Sequence, residues 1–185
     1  YTSTSLVCPV ASAMDGNHMG WSANSGSTTV TKVSSDGTQF TDTSGCDRPV
    51  GLAFDQSGNL WVSNFTGNSV SEISSAGAVA SSGYAAGSLK NPQGIAVDGS
   101  GNVWVASLQG PSITELASAA SGSPGKTLSP AAGFAPDAGL LEAWGVAVDA
   151  SGNLWVTNFG SDTLTEMVGL AAPVKTPLLG LPAAP

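Results

Sequence analysis

The chain has 185 residues, a net charge of −8 and 10% charged residues, while 41% of its residues are hydrophobic. This length and composition allow one substantial core and exclude disorder by composition. Five Lys and Arg residues are too few for the basic cluster that phosphate contacts require, so nucleic acid and anionic membrane surfaces are excluded as partners.

In chain order, one phrase occurs four times, and each copy holds a tryptophan. An Asp precedes each Trp by six residues, and an apolar residue follows nine residues after it. The spacings between successive tryptophans are 40, 43 and 51 residues, in the range of propeller blades and solenoid units. The tryptophans are Trp21, Trp61, Trp104 and Trp155, and the aspartates are Asp15, Asp55, Asp98 and Asp149.

The second copy shows the predicted elements of one repeat. A short alternating strand ends at Asp55, and residues 55–59 (Asp-Gln-Ser-Gly-Asn) supply turn chemistry. A second strand contains Trp61, and a third contains Val70 and Ile73, which lie three residues apart and so point to opposite faces. A strand that is apolar on both faces is predicted to have a neighbouring sheet on each side. A less regular fourth strand, near residues 77–81, forms the outer edge.

We therefore predict an all-β protein, a β-propeller built of four-stranded antiparallel blades, with four repeats in this chain. The predicted blades cover about residues 9–48, 49–91, 92–142 and 143–178, and residues 179–185 form a C-terminal tail. Because the Asp recurs in every copy, we interpret it as a turn-holding residue rather than a metal ligand. His18, the only histidine, falls in the first turn. No catalytic residue, metal or cofactor is predicted.

The phrase Pro-x-Gly-h-Ala-h-Asp-x-x-Gly-Asn-h-Trp-Val, in which h is apolar, resembles the NHL-repeat family of β-propellers. It is also similar to the blades of streptogramin-lyase-like bacterial proteins, and the resemblance extends from about Pro9 to Met167. It implies the propeller fold but no single function, because that fold carries enzymes and binding modules alike. The resemblance further implies a catalytic histidine with a metal in a lyase, or a carboxylate-rich metal site in a lactonase, and the four copies show neither pattern.

Propellers of this kind usually close with six or more blades, whereas the sequence contains four copies. The outer faces of the first and last blades would then be apolar and uncovered, at residues such as Val30 and Val33 on one side and Leu164 and Met167 on the other. We expect these faces to be covered by missing blades, which would precede Tyr1, by other copies of the chain, or by the tail.

Cys8 and Cys46 are the only cysteines, and each precedes the first strand of its repeat. Equivalent sites in adjacent blades are neighbours, so a disulfide is favoured over a pair of buried free thiols. A disulfide, together with the scarcity of lysine, predicts an extracellular or periplasmic location.

Candidate ligand residues are those that break the repeat in the loops before strand one and after strand two. Trp144 occupies the position of Val50 and Gln93 in other copies, and exposed aromatics beside amides suit carbohydrate or peptide contact. The alternative is that Trp144, Phe65 and Phe159 fill the central channel or pack between blades. The predicted ligand-binding residues are Trp144, Arg48, Asn64, Phe65, Asn158 and Phe159.

From these observations we predict a secreted binding or structural module with a protein or carbohydrate ligand, in preference to an enzyme. The alternative is a lyase or lactonase-type propeller enzyme whose catalytic residues lie outside this chain.

Overall fold

The computed structural model describes residues 3–110, 112–134 and 139–174. These residues form an all-β fold of four antiparallel sheets in chain order, which we call blades one to four, and this confirms the predicted fold class. The helical structure among them is one 3-10 turn, Ala119–Ser121. No helix in these ranges is long and apolar enough to cross a membrane.

The strands follow one another from the inner to the outer edge of each blade. Blade one contains β1 Pro9–Met14, β2 Gly20–Asn24, β3 Thr29–Val33 and β4 Phe40–Ser44, and blade two contains β5 Pro49–Phe54, β6 Leu60–Asn64, β7 Ser69–Ile73 and β8 Val79–Ala85. Blade three contains β9 Pro92–Val97, β10 Val103–Ser107 and β11 Ser112–Leu116, and blade four contains β12 Ala143–Val148, β13 Leu154–Asn158 and β14 Thr163–Met167.

Blades three and four have three strands in the described part of the chain, where four had been predicted. In blade three the outer edge of β11 instead makes two single bridges, Ile113 with Phe134 and Leu116 with Thr127. The long connection to blade four supplies both partners, and the backbone N–H groups of Leu128 and Ser129 also donate to the carbonyl of Glu115 in β11.

The core lies between the blades, in three apolar clusters. We call the side of a blade that carries the repeated Trp its tryptophan face, and the opposite side its aliphatic face. Between blades one and two, Trp21 and Val30 pack against Leu60, Val62 and Ile73. The other two interfaces have the same arrangement, with Trp61 and Val70 against Val103, Val105 and Leu116, and Trp104 and Ile113 against Leu154, Val156 and Met167.

A carboxylate holds the turn between the first two strands of every blade. In blade three, Oδ1 of Asp98 accepts hydrogen bonds from the backbone N–H groups of Ser100 and Asn102, at 2.9 and 3.0 Å. Oδ2 accepts one from the indole N–H of Trp104, at 3.0 Å. The equivalent indole bonds join Trp21 to Asp15, Trp61 to Asp55 and Trp155 to Asp149, at 3.0–3.1 Å.

The inner strands β1, β5, β9 and β12 pack side by side in that order, and the glycine of the Pro-x-Gly phrase allows their close approach. A Cβ atom added to Gly94 in β9 would lie 2.5 Å from the carbonyl oxygen of Trp144 in β12. One added to Gly51 in β5 would overlap the carbonyl oxygen of Gln93. Any larger residue would therefore push neighbouring blades apart.

The exposed residues at the two ends differ from those predicted. Val30 and Met167 are buried, because both face an interface inside the chain, whereas Leu164 is 58% exposed. Since Val30 and Val33 lie three apart in one strand, they point to opposite faces, and only Val33 belongs to the outer face of blade one.

The predicted disulfide is not present in the structure, where Cys8 and Cys46 are both free thiols. Cys46 is buried in the cluster between blades one and two, whereas Cys8 faces solvent. Burial raises the pKa of the Cys46 thiol to about 11, an effect that its hydrogen bond with Ser71 partly offsets.

Candidate ligand-binding cleft

A bulge near the start of the inner strand marks every blade. Val10, Val50 and Trp144 each stand as an extra residue between two paired positions. In blade three, Gln93 and Gly94 together face Ala106. Bulges bend a strand and turn a side chain out of its usual direction, so every blade presents one side chain at the same place.

The residue before each inner strand has a left-handed backbone. The φ angles are 48° at Cys8, 54° at Arg48, 48° at Asn91 and 51° at Glu142. The carbonyl of each accepts a hydrogen bond from the residue that follows strand two of the same blade, at 3.0–3.2 Å. This bond places the second loop beside the bulge in all four blades.

The bulged residue of every blade and the loop residue of the first three blades line a cleft of about 340 Å³ at this end of the blades. The loop residue of blade four, Phe159, lines a separate pocket beside Trp144. All four blades contribute to its wall, and the surface is mostly apolar. The lining residues are Val10 and Ser25 from blade one, Arg48, Val50 and Phe65 from blade two, Gln93 and Leu108 from blade three, and Trp144 from blade four.

Arg48 is the only cation among the residues that line the cleft, and no acidic side chain lies among them. Its guanidinium carbon lies 4.7 Å from the centre of the Phe65 ring, within the range of a cation–π contact. The ring supports the guanidinium at the rim of the cleft and leaves its N–H groups available to an anionic group of a ligand.

Trp144 and Phe159 form an exposed aromatic pair in blade four. Their ring centres lie 5.3 Å apart with 41° between the planes, and the side chains are 46% and 66% exposed. Neither ring is therefore buried between the described blades. An aromatic surface open to solvent is suited to contact with a ligand.

Two of the predicted ligand residues, Asn64 and Asn158, are buried instead. The amide nitrogen of Asn64 donates to the hydroxyls of Ser69 and Ser71, at 3.1 and 2.8 Å, and its oxygen accepts from the N–H of Asp47, at 3.1 Å. Asn158 donates to two threonine hydroxyls of blade four in the same way. These amides join strands two and three within a blade, so they do not reach the cleft.

The turn aspartates and His18 lie at the opposite end of the blades from the cleft. His18 is exposed, with a φ of 60°, in the turn after β1. Among the described residues, no group of three or more His, Cys, Asp or Glu side chains could hold a metal ion. The residues that line the cleft offer aromatic, apolar, guanidinium, amide and hydroxyl groups.

Sequence reasoning missed the contribution of Ser25 and Leu108 to the cleft wall, and it treated Val50 and Gln93 only as counterparts of Trp144. The sequence contained the information, because Val50 and Gln93 are equivalent to Trp144, and Ser25 and Leu108 are equivalent to Phe65 and Phe159. Comparing the same two positions in every repeat would have predicted most of the wall, although Arg48 lies outside these positions and Phe159 does not line the cleft.

No protein-family model matches the chain, and no curated protein matches its sequence. Solved structures do match. A streptogramin B lyase structure has a TM-score of 0.76 at 14% identity, over 95% of this chain and 58% of the lyase. Virginiamycin B lyase from Staphylococcus aureus has a TM-score of 0.67 at 16% identity, over 91% of this chain and 56% of that chain. Hydrazine synthase from Kuenenia stuttgartiensis has a TM-score of 0.69 at 17% identity, over 91% of this chain and 48% of that chain.

The fold is that of a β-propeller. At these identities the likeness concerns the fold alone, and the chain spans about half to three-fifths of the length of the structures it matches.

Proposed function

We propose that this chain is a binding module similar to NHL-repeat propellers, and that its ligand binds in the cleft. The observation that carries the proposal is the bulge in all four blades, which directs an equivalent side chain from each blade toward one opening. A purely structural repeat has no need for exposed aromatic rings at these positions.

The chemistry of the cleft favours a peptide over a carbohydrate. Sugar hydroxyls require several polar partners, but the two asparagine amides are engaged inside the blades. The wall combines the rings of Trp144 and Phe65 with the aliphatic side chains of Val10, Val50 and Leu108, and its polar side chains are Arg48, Gln93 and Ser25, whose hydroxyl donates to the carbonyl of Cys8. Such a surface suits an apolar peptide side chain, and Arg48 suits a neighbouring carboxylate.

The likeness to NHL repeats rests on the Pro-x-Gly and Asp-to-Trp phrases, and both have a physical role in the structure. The glycine lets inner strands approach, and the Asp joins the turn to the Trp. The alternative, a lyase or lactonase-type enzyme, depends on catalytic residues outside this chain, and no contact among the described residues favours it. The extracytoplasmic location stays a prediction that rests on composition alone, since the disulfide is not present.

Selection from a random peptide library displayed on phage tests the proposal. We expect enriched peptides to bind the wild-type chain and to lose at least tenfold in affinity for Trp144→Ala, as measured by calorimetry with the synthetic peptide. Leu128→Ala, an exposed residue outside the cleft, is the matched control and should bind unchanged. Peptides that bind Trp144→Ala and the wild type equally would contradict the site.

A ligand of the other class would give a different result. If cellohexaose or maltohexaose bound in a manner sensitive to Trp144→Ala while no peptide was enriched, the cleft would be a carbohydrate site and the peptide assignment would be wrong.

A further inference from the structure

The tryptophan face of blade four has no cover among the described residues. Trp61 and Trp104 are fully buried, whereas Trp155 is half-buried and Leu164 is 58% exposed. An aromatic ring lies 5.5–6.0 Å from each of the other three repeated tryptophans. In the part of the chain that the structure describes, no such ring lies against Trp155.

The aliphatic face of blade one is open as well, and it is hollow. Ser12, Gly20 and Ser22 occupy the positions that Leu52, Leu60 and Val62 occupy in blade two. The missing side chains leave a depression of about 350 Å³, whose rim includes Met14, Val33 and Phe40. Met14 is 65% exposed.

These two surfaces are the two halves of one kind of interface. All three interfaces inside the chain join the tryptophan face of one blade to the aliphatic face of the next. Blade four therefore offers the first half of a fourth interface, and blade one offers the second.

The two faces carry equivalent positions of the interfaces inside the chain. Leu164 stands where Val30, Val70 and Ile113 stand in blades one to three, and it would face the hollow at Gly20 and Ser22. Met14 occupies the position of Phe54, whose ring lies 6.0 Å from Trp21. A blade four packed here would place Trp155 against the thioether of Met14, a favourable contact.

We propose that a second copy of this chain covers both faces. Blade four of each copy packs on blade one of the other, which closes a two-fold ring of eight blades. Eight lies within the range of about 4–8 blades that propellers adopt, and two-fold dimers are the commonest oligomers. The proposal does not depend on what the cleft binds. It also accounts for the exposed apolar side chains on the two faces, since such surfaces tend to associate in water.

Sedimentation velocity on the 185-residue chain tests the proposal. The chain has a mass of 18.2 kDa, and we expect a species of twice that mass. Leu164→Asp and Met14→Asp alter the two faces separately at exposed positions, and each should raise the dimer dissociation constant at least tenfold. Leu128→Asp, at an exposed position outside both faces, is the control and should remain dimeric. Circular dichroism verifies that each variant is folded.

Mixing the two variants distinguishes this arrangement from other dimers. In a mixed pair, blade four of Met14→Asp can pack on the intact blade one of Leu164→Asp, so one interface survives. The mixture should therefore dimerise more strongly than either variant alone.

Three results would overturn the proposal. One is a wild-type chain that stays monomeric at every concentration up to its solubility limit. Another is a Met14→Asp variant that stays dimeric, because that dimer would join two blade-four faces. The third is an open series of larger species, which would show that the ring does not close.

Discussion

The indole N–H of Trp104 donates a hydrogen bond of 3.0 Å to Oδ2 of Asp98, a carboxylate that is only 3% exposed. The same bond occurs in each of the four blades, and it connects the turn between strands one and two to the side chain that fills the next interface. Its surroundings differ, because Asp98 is buried and Asp149 is partly open to solvent. The effect of burying the carboxylate on this hydrogen bond can therefore be compared between blades of a single chain.

Replacing Trp104 with Phe should destabilise the protein by about 2 kcal/mol or more, because it removes a hydrogen bond to a buried charged group and leaves a smaller ring in the core. The same change at Trp155 should cost the monomer less, since water can replace the indole at Asp149 when no second copy covers blade four. Urea unfolding curves of both variants and the wild type measure the difference. Equal losses in the two blades would show that the burial of the carboxylate is not what determines the cost.

The indole of Trp155 is the main cause of the low pKa of Asp149, which lies at about 2. Trp155→Phe should therefore move this pKa up toward the ordinary value of about 3.9, as followed by the carboxyl carbon shift in an NMR titration. A depressed pKa stabilises the folded state above the unfolded value and ceases to do so as the pH falls through about 2. The variant should lose this contribution at a higher pH. Phe159→Leu, which leaves the indole bond in place, should not change the pKa.

Gly94→Ala should destabilise the protein by about 1–3 kcal/mol, because its Cβ would meet the backbone of β12 and separate blades three and four. Thermal unfolding monitored by circular dichroism measures the loss. Gly16→Ala is the matched control, since no heavy atom lies within 4 Å of the added carbon. A neutral Gly94→Ala would mean that the inner strands can move apart freely.

Cys8 should react quickly with Ellman's reagent in the folded protein, whereas Cys46 should react only after unfolding. Cys8 is exposed, and Cys46 is buried with a pKa of about 11, so little of its thiol is in the reactive thiolate form near neutral pH. Cys8→Ser should abolish the fast phase. Denatured, unreduced protein that showed no free thiol would restore the disulfide predicted from the sequence.

The prediction from periodicity that the third strand contributes to two interfaces holds in blade two, because position in a strand determines which face a side chain occupies. Val70 and Ile73 lie in different clusters, as their spacing of three residues predicted. The six-residue spacing of Asp and Trp was visible in the sequence. The hydrogen bond between the two side chains could not be predicted from that spacing, because it depends on how the turn folds back on the strand.

The candidate site was predicted less well, and the reason is also physical. Asn64 and Phe65 are adjacent in sequence, yet one is buried between strands and the other lines the cleft. Asn64 ends β6 and Phe65 begins the loop that follows, so the two side chains have different surroundings. The bulges at Val50 and Trp144 interrupt the alternation of side chains along a strand, and composition gave no indication of them.

The bulge in each inner strand also separates two tasks along the chain. Glycine, aspartate and tryptophan at other positions maintain the fold, while the bulged residue of each blade and the loop residue of blades one to three line the cleft. Under the proposed function, substitutions at these positions would change the surface offered to a ligand one blade at a time, while the residues that maintain the fold stay in place. Duplicating a repeat would add one more bulged residue and one more loop residue, together with the strands that position them.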